Sequence, residues 1–276
     1  MTTLNDLYSI SSMFSNTDKM PVLFLLYGSH MNAIEENQFV TGFRNLAKTL
    51  PQPNAILCVS AHWFTKGTKV TSMQMPRTIH DFGGFPQALF DVQYPAKGSP
   101  ELALETKRIL DPVQVDLDEH WGLDHGAWSV IKHLYPEANV PVIQLSIDYT
   151  KSGQFHFELA QKLQSLRRKG VLIIGSGNIV HNLRMVDFRN FDKDNYGYDW
   201  AIEARETVNS YLLDGNFQPL IDFEKMNKAV QLAVPTPEHY LPLLYTLGLK
   251  EKSEELRLFN DKLLAGSLSM TSVKIM

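Results

Sequence analysis

Nine histidines punctuate the chain, and two of them stand where chemistry is to be expected. His62 follows the apolar run Ala55-Ile-Leu-Cys-Val-Ser-Ala, and His181 follows Val171-Leu-Ile-Ile-Gly-Ser-Gly-Asn-Ile-Val. Both runs read as buried strands, and in open α/β sheets ligands bind in the crevice beyond the carboxyl ends of the strands. Imidazoles arriving there from distant stretches suggest a metal, and they suit iron, zinc and copper. With one carboxylate and open positions, such a set is the arrangement by which non-haem Fe(II) holds a substrate and O₂ together. Further candidates are His125 in Trp121-Gly-Leu-Asp-His-Gly-Ala-Trp128, His239 in Thr236-Pro-Glu-His-Tyr240, and His30, His80 and His120 in loops. His133 and His156 fall inside helical patterns and read as surface or interfacial. For any one histidine taken alone, a hydrogen-bonded residue is the commoner role.

The elements that would position these side chains alternate along the chain. Short apolar and β-branched runs at Pro21–Leu26, Ala55–Ser60, Val70–Met73, Val140–Ser146 and Val171–Gly175 read as buried strands. Apolar residues at three-to-four spacing predict helices over Glu36–Leu50, Pro100–Leu110, Phe155–Arg168, Asp199–Leu212 and Ser253–Leu264. The alternation predicts an α/β fold with a central mixed, partly parallel sheet and helices on both faces. Ser267–Ile275 alternates and is expected to return as a closing strand, antiparallel at an edge. The long loops are about Gln74–Gly98 and Leu183–Tyr198. With no repeat or Gly/Ser linker to divide the chain, residues 1–20 are expected to be a polar extension and 21–276 a single domain.

Composition narrows the function. A formal net charge of −4 and no Lys/Arg cluster give nucleic-acid binding no support. Cys58 is the only cysteine, which excludes an internal disulfide and a Cys-rich zinc site. The first 20 residues lack a basic n-region and an apolar h-region, and no run approaches the roughly 18–20 apolar residues that span a bilayer, so a cytoplasmic protein without membrane partners is expected.

Six segments, in order, carry a specific likeness: Ser60-Ala-His-Trp-Phe64, Thr78-Ile-His-Asp-Phe-Gly-Gly-Phe-Pro86, Trp121-Gly-Leu-Asp-His-Gly126, Gln144-Leu-Ser-Ile147, Ser176-Gly-Asn-Ile-Val-His-Asn-Leu183 and Pro235-Thr-Pro-Glu-His-Tyr-Leu-Pro-Leu-Leu244. Together they resemble the class III extradiol ring-cleaving dioxygenases, in particular the DOPA 4,5-dioxygenase-like branch. The resemblance implies that His62 and His239 are metal ligands, that His181 is a ligand or the acid/base residue beside the metal, and that His125 lies near the substrate hydroxyls. It also implies a first ligand in a Gly-His-Gly-Ser-Pro motif after the first strand. This chain departs there, reading Leu26-Tyr-Gly-Ser-His-Met31. Tyr27 takes the ligand position and His30 the proline position, so either could complete the metal site. A phenolate must first lose a proton whose ordinary pKa is near 10, and it favours Fe(III) over Fe(II).

The expected chemistry is therefore extradiol cleavage of a small, DOPA-like catechol by O₂, with Fe(II) as the working ion and Zn(II) as an ion the same ligands would hold. His181, then His125, are the candidates to take and return the catechol proton. The rivals are a catalytically silent or zinc-binding member of the same fold, and a zinc hydrolase. Gly175-Ser-Gly-Asn lacks the third glycine of a dinucleotide fingerprint and is read as a tight turn. Asp81–Pro86 could be a lid over an aromatic substrate or an ordinary Gly/Pro loop. Glu238 is a carboxylate candidate, although neighbours in sequence seldom face one point.

Overall fold

The computed structural model describes residues 17–191 and 193–276. The first sixteen residues of the expected polar extension lie outside the described ones. Strands β1 (Val22–Leu25), β2 (Ala55–Thr65), β3 (Thr68–Thr71), β4 (Val115–Asp118), β5 (Val142–Asp148), β6 (Val171–Ser176) and β7 (Leu256–Phe259) come first in chain order. They are followed by β8 (Leu263–Leu264), β9 (Leu268–Ser269) and β10 (Ser272–Ile275). Eight of these form one sheet in the order β4-β3-β5-β2-β6-β1-β10-β7, and β8 and β9 make a separate ribbon. The inner strands β5, β2, β6 and β1 run parallel, while β3 is antiparallel to β5 and β10 is antiparallel to both β1 and β7. The sheet is mixed, as expected.

The continuous apolar runs of β1 and β6 follow from burial on both faces. Side chains alternate across a strand, and the two faces sort accordingly. Val22, Phe24, Leu57, Val59 and Ile173 enter one core, whereas Leu23, Leu25, Ile56, Cys58 and Ile174 enter the other. Helices α1 (Gln38–Ala47) and α3 (His125–Leu134) cover the second core. Helices α2 (Pro100–Leu110), α4 (Gly153–Lys162), α5 (Asp199–Asp214), α6 (Lys228–Ala233) and α7 (Leu241–Gly248) cover the first. Truncating a fully buried anchor such as Phe24 to Ala costs about 3–5 kcal/mol.

Several expectations need correcting. No helix spans Ser253–Leu264: Leu256-Arg-Leu-Phe pairs with β10 as β7, because an open strand edge offers it hydrogen bonds and alternating Leu256 and Leu258 supply an apolar side. The closing strand is not at an edge, since β10 lies between β1 and β7. β4 was not expected; its acidic alternation, Val-Asp-Leu-Asp, suits an exposed edge strand. His133 and His156 are buried, at 8% and 0% exposure. Each is held by one partner, His133 Nε2 by the Asn32 carbonyl at 2.8 Å and His156 Nδ1 by the Tyr245 hydroxyl at 3.0 Å. Gly177 is not in a left-handed turn: it lets the backbone before α7 press onto the segment after β6, where a Cβ would meet the His239 carbonyl oxygen at 2.2 Å.

Candidate active site

The carboxyl ends of the parallel strands deliver the chemistry. Tyr27 stands two residues beyond β1. His62 lies in the outer part of β2, where the register with β5 shifts between Val59 and Phe64. His181 follows the end of β6 and is fixed by its backbone N–H, which donates to the Ala233 carbonyl at 2.8 Å. His239 stands just before Tyr240, the N-cap of α7, and its carbonyl accepts the Asn178 N–H at 2.7 Å. His125 opens α3, whose N-cap Asp124 accepts the Ala127 N–H at 3.0 Å. Asp124 is fully buried and also accepts from the Ser60 hydroxyl at 2.6 Å and the Gln144 amide at 2.7 Å, which ties α3 to β2 and β5. Gly126 makes the close approach possible, because a Cβ there would sit 2.6 Å from Ser60 Oγ and 2.9 Å from the His62 ring.

These elements aim three donor atoms at one point. Tyr27 Oη lies 2.8 Å from His62 Nε2 and 2.6 Å from His239 Nε2. Behind each imidazole stands a carboxylate: Asp81 Oδ2 is 2.9 Å from His62 Nδ1, and Glu238 Oε1 is 3.2 Å from His239 Nδ1. Asp81 Oδ1 in turn accepts from His125 Nδ1 at 2.8 Å and from the His125 backbone N–H at 3.0 Å. The carboxylates fix the protonated nitrogen on the far side of each ring and leave a lone pair on Nε2, the arrangement that supports metal-binding histidines. His125 Nε2 is buried with no partner.

The histidines beyond this triad group around it. His181 stacks on His239, with ring centroids 3.7 Å apart. His30 stacks on His125 at 4.1 Å and against Phe85 at 4.5 Å, and it makes no hydrogen bond to Tyr27, His62 or His239. His80 Nε2 meets the Val92 carbonyl at 2.8 Å, outside the site, and His120 is exposed. Asp81 was missed as a functional group: within Asp81–Pro86 the sequence signalled only a lid or a loop, whereas its carboxylate organises two rings. Glu238, the carboxylate candidate beside His239, stands behind that ring, on its Nδ1 side.

Electrostatics follow from burial and these contacts. Burial, then the charges of Asp124, Asp81 and Glu238, push the Tyr27 phenol well above its usual pKa. Burial also lowers His125 and His239, His181 to about 2 and His30 to about 3. Burial opposes charge on His62, but the Asp81 contact and the Asp124, Asp81 and Glu238 charges outweigh it and raise its pKa. For Asp81, burial is overcome by the bonds from His125 and His62, which hold its carboxyl well below the usual range.

A proton count tests whether these residues suit a metal. With Nδ1–H donated to carboxylates, His62 and His239 both present lone pairs to Tyr27, whose hydroxyl carries a single proton. One hydrogen cannot satisfy two acceptors fully, whereas a cation replacing it would satisfy all three donor atoms. Atoms sharing an ion at about 2.0–2.1 Å lie roughly 2.9 Å apart when the angle at the ion is near 90°. The observed separations are within a few tenths of an ångström of that, so the donor set fits. The donor atoms of His62, Asp81 and His125 also lie within 4.8 Å of one another, but both Asp81 oxygens are already engaged by ring nitrogens. The triad opens into a cavity of about 720 Å³ walled by Phe82, Phe85, Leu183, Val186, Phe188 and Phe191.

The chain is 46% identical over 270 residues to "4,5-DOPA dioxygenase extradiol" of Escherichia coli (strain K12), covering 96% of this chain and 98% of that one. It is 33% identical over 269 residues to the protein of the same description from Beta vulgaris, with coverages of 95% and 98%. The crystal structure of an uncharacterized Escherichia coli K12 protein superposes with a TM-score of 0.81 at 42% identity, covering 94% of this chain and 100% of that one. Residues 20–267 match the family model described as the catalytic LigB subunit of aromatic ring-opening dioxygenase. The chain thus belongs to the LigB family of aromatic ring-opening dioxygenases.

Proposed function

We infer that this protein is an extradiol dioxygenase that opens the ring of a small, DOPA-like catechol with O₂, working as one α/β domain over residues 21–276 in the cytoplasm. The observation that carries the reading is the convergence of Tyr27 Oη, His62 Nε2 and His239 Nε2 at the inner end of an aromatic-walled cavity. These three residues would hold the non-haem metal, Fe(II) for activity, with Zn(II) a competing occupant. When bound, that ion supplies orientation and Lewis-acid activation to catechol and O₂ together.

The protein's own groups do the rest. His125, held by Asp81 through Nδ1, keeps its buried Nε2 free as an acceptor for a catechol hydroxyl proton. His181, neutral at pH 7 and lining the cavity, is the second proton-handling group. Phe82 and Phe85 flank the space in which an aromatic ring would lie and offer it apolar faces. His30 extends that wall and is not assigned as a ligand.

A second reading is a catalytically silent or zinc-binding member of the fold, favoured by Tyr27 at the position where the family motif has histidine. Oxygen uptake after anaerobic loading separates the two. With Fe(II), catechol should be consumed with one O₂ and yield a ring-opened product heavier by two oxygen atoms; with Zn(II), nothing should happen. Absence of uptake with Fe(II) bound would leave the silent reading standing.

A further inference from the structure

The turn after β1 carries two hydrogen-bond donors that the metal-binding and proton-handling groups leave unused. Gly28 has a φ of +61° in it, and a Cβ there would run into Met270 Sδ, so the turn needs glycine. Asn32 straps the turn down. Its Nδ2 donates to the Tyr27 carbonyl at 2.8 Å, its Oδ1 accepts from Asn37 at 2.7 Å, and its own carbonyl accepts from His133 Nε2 at 2.8 Å. Ser29 and His30 are thereby held at the cavity wall as one unit.

Rings step outward from the inner end of the cavity. His125 lies 3.9 Å from His62, His30 lies 4.1 Å from His125, and Phe85 lies 4.5 Å from His30, centroid to centroid. His125 and Phe85 are tilted from His30 by only 26° and 35°. Two rings cannot share one face of an imidazole at such distances, so they cover both its faces. What His30 offers the cavity is its edge, where a neutral ring carries one N–H donor and one acceptor nitrogen. Among the described residues that edge meets no hydrogen-bond partner. The Ser29 hydroxyl accepts the Met31 N–H at 3.2 Å and, among the same residues, donates to nothing. Asp81 is taken by His62 and His125, and no lysine or arginine lines the cavity.

A catechol that gives a hydroxyl proton to His125 meets the next ring of this series, His30, with its side chain. In DOPA the carboxyl carbon stands three C–C bonds from the ring, a reach of roughly 4 Å, comparable to the step from His125 to His30. An anion is satisfied by neutral N–H and O–H donors, and such charge-assisted bonds are stronger than neutral ones. The ammonium needs no buried partner, because the cavity is open to water at its outer end, where Leu183 and Phe188 are 62% and 78% exposed. Resting on the reading of a DOPA-like substrate above, we propose that the edge of His30, with the Ser29 hydroxyl beside it, binds the carboxylate of the substrate's amino-acid side chain and so favours DOPA over catechols that lack a carboxylate.

The test uses three catechols: L-DOPA, dihydrocaffeate, which has the carboxylate without the ammonium, and dopamine, which has the ammonium without the carboxylate. Binding is measured to the Zn(II)-loaded protein, which does not turn over, and kcat/KM with Fe(II) and O₂. L-DOPA and dihydrocaffeate should bind at least about tenfold tighter than dopamine, the low end of what a hydrogen bond to a charged group is worth. His30→Phe keeps a ring in the stack and removes both nitrogens; it should lower the L-DOPA to dopamine ratio about tenfold, through KM more than kcat. Ser29→Ala should lower that ratio less. Equal binding of L-DOPA and dopamine by the parent overturns the proposal without any variant having to fold. So does a ratio within about twofold of the parent in His30→Phe, or an equal loss for all three ligands, which would mark a purely structural ring. A selective loss of the carboxylate ligands in Arg184→Ala but not in His30→Phe overturns it too, by assigning the carboxylate to a guanidinium. If no catechol binds or is cleaved, the catechol reading itself falls, an outcome distinct from cleavage without carboxylate preference.

Discussion

Replacing Asp81 by Asn keeps the shape of the side chain and changes one oxygen into an NH₂ donor. In the parent, Oδ1 accepts two N–H groups from His125, the ring at 2.8 Å and the backbone at 3.0 Å, while Oδ2 faces only His62 Nδ1 at 2.9 Å. The one oxygen left in the Asp81→Asn variant should therefore stay on the His125 side, where it keeps two bonds, and the amide nitrogen should face His62. An NH₂ opposite Nδ1 requires that nitrogen to be an acceptor, so His62 moves its proton to Nε2 and points N–H at Tyr27. The lone pair that would bind the ion is lost. Removing a supporting partner of this kind costs about 10–100-fold in metal affinity, or about 1.4–2.8 kcal/mol. Competition with a chelator of known affinity measures it, alongside oxygen uptake at saturating metal. Retention of both metal affinity and turnover within about twofold would refute the orienting role of Asp81. Intact affinity with collapsed turnover would place the flipped ring at His125 instead.

Three other outcomes follow from the same geometry. His125→Gln and His181→Gln should each lower kcat by about 100- to 10,000-fold while metal affinity changes far less, and parental rates in both would remove the proton-handling assignment. Tyr27→Phe should weaken Fe(III) binding at least about tenfold and abolish a visible tyrosinate-to-iron band, whereas Tyr27→His should favour Fe(II); identical spectra and affinities would exclude the phenolate from the site. His156 is lowered from 6.5 to about 4 by burial, so below about pH 6.5 the unfolded chain binds a proton that the folded one refuses. Its contribution to stability is full above that pH and falls by about 1.4 kcal/mol per unit down to about pH 4. Urea unfolding at pH 7.5, 6 and 5 should show this loss, and His156→Gln should reduce it by roughly 2 kcal/mol at pH 5; an unchanged loss would refute the assignment.

The inner strands were legible because parallel strands covered on both faces must be largely apolar, and Val22–Leu25 and the Val171-Leu-Ile-Ile run of β6 are. What escaped depended on distant partners. The segment Leu256–Phe259 has leucines and a phenylalanine whose spacing serves a helix as well as a strand, and only the edge offered by β10 decides between them. His133 and His156 read as surface or interfacial because the groups that satisfy them, the Asn32 carbonyl and the Tyr245 hydroxyl, are far away in sequence. His62, His181 and His239 were legible from strand ends and motif likeness, and their clustering agrees with that reading. Asp81 was not, since a carboxylate 19 residues past one histidine and 44 before another carries no local periodicity.

The position of β10 gives the sheet an order of assembly. β1 can pair with β6 once residues 171–176 have emerged, but its other side pairs Val22 with Ile275, about 250 residues away in the chain. While the protein is being made, the strand that leads into Tyr27 therefore keeps one row of backbone donors and acceptors unpaired until the last part of the described chain arrives. Synthesis halted before residue 272 would leave that row as an open template for another chain. The slow, long-range closure that β10 makes is thus also what keeps the newborn protein from sticking to its neighbours.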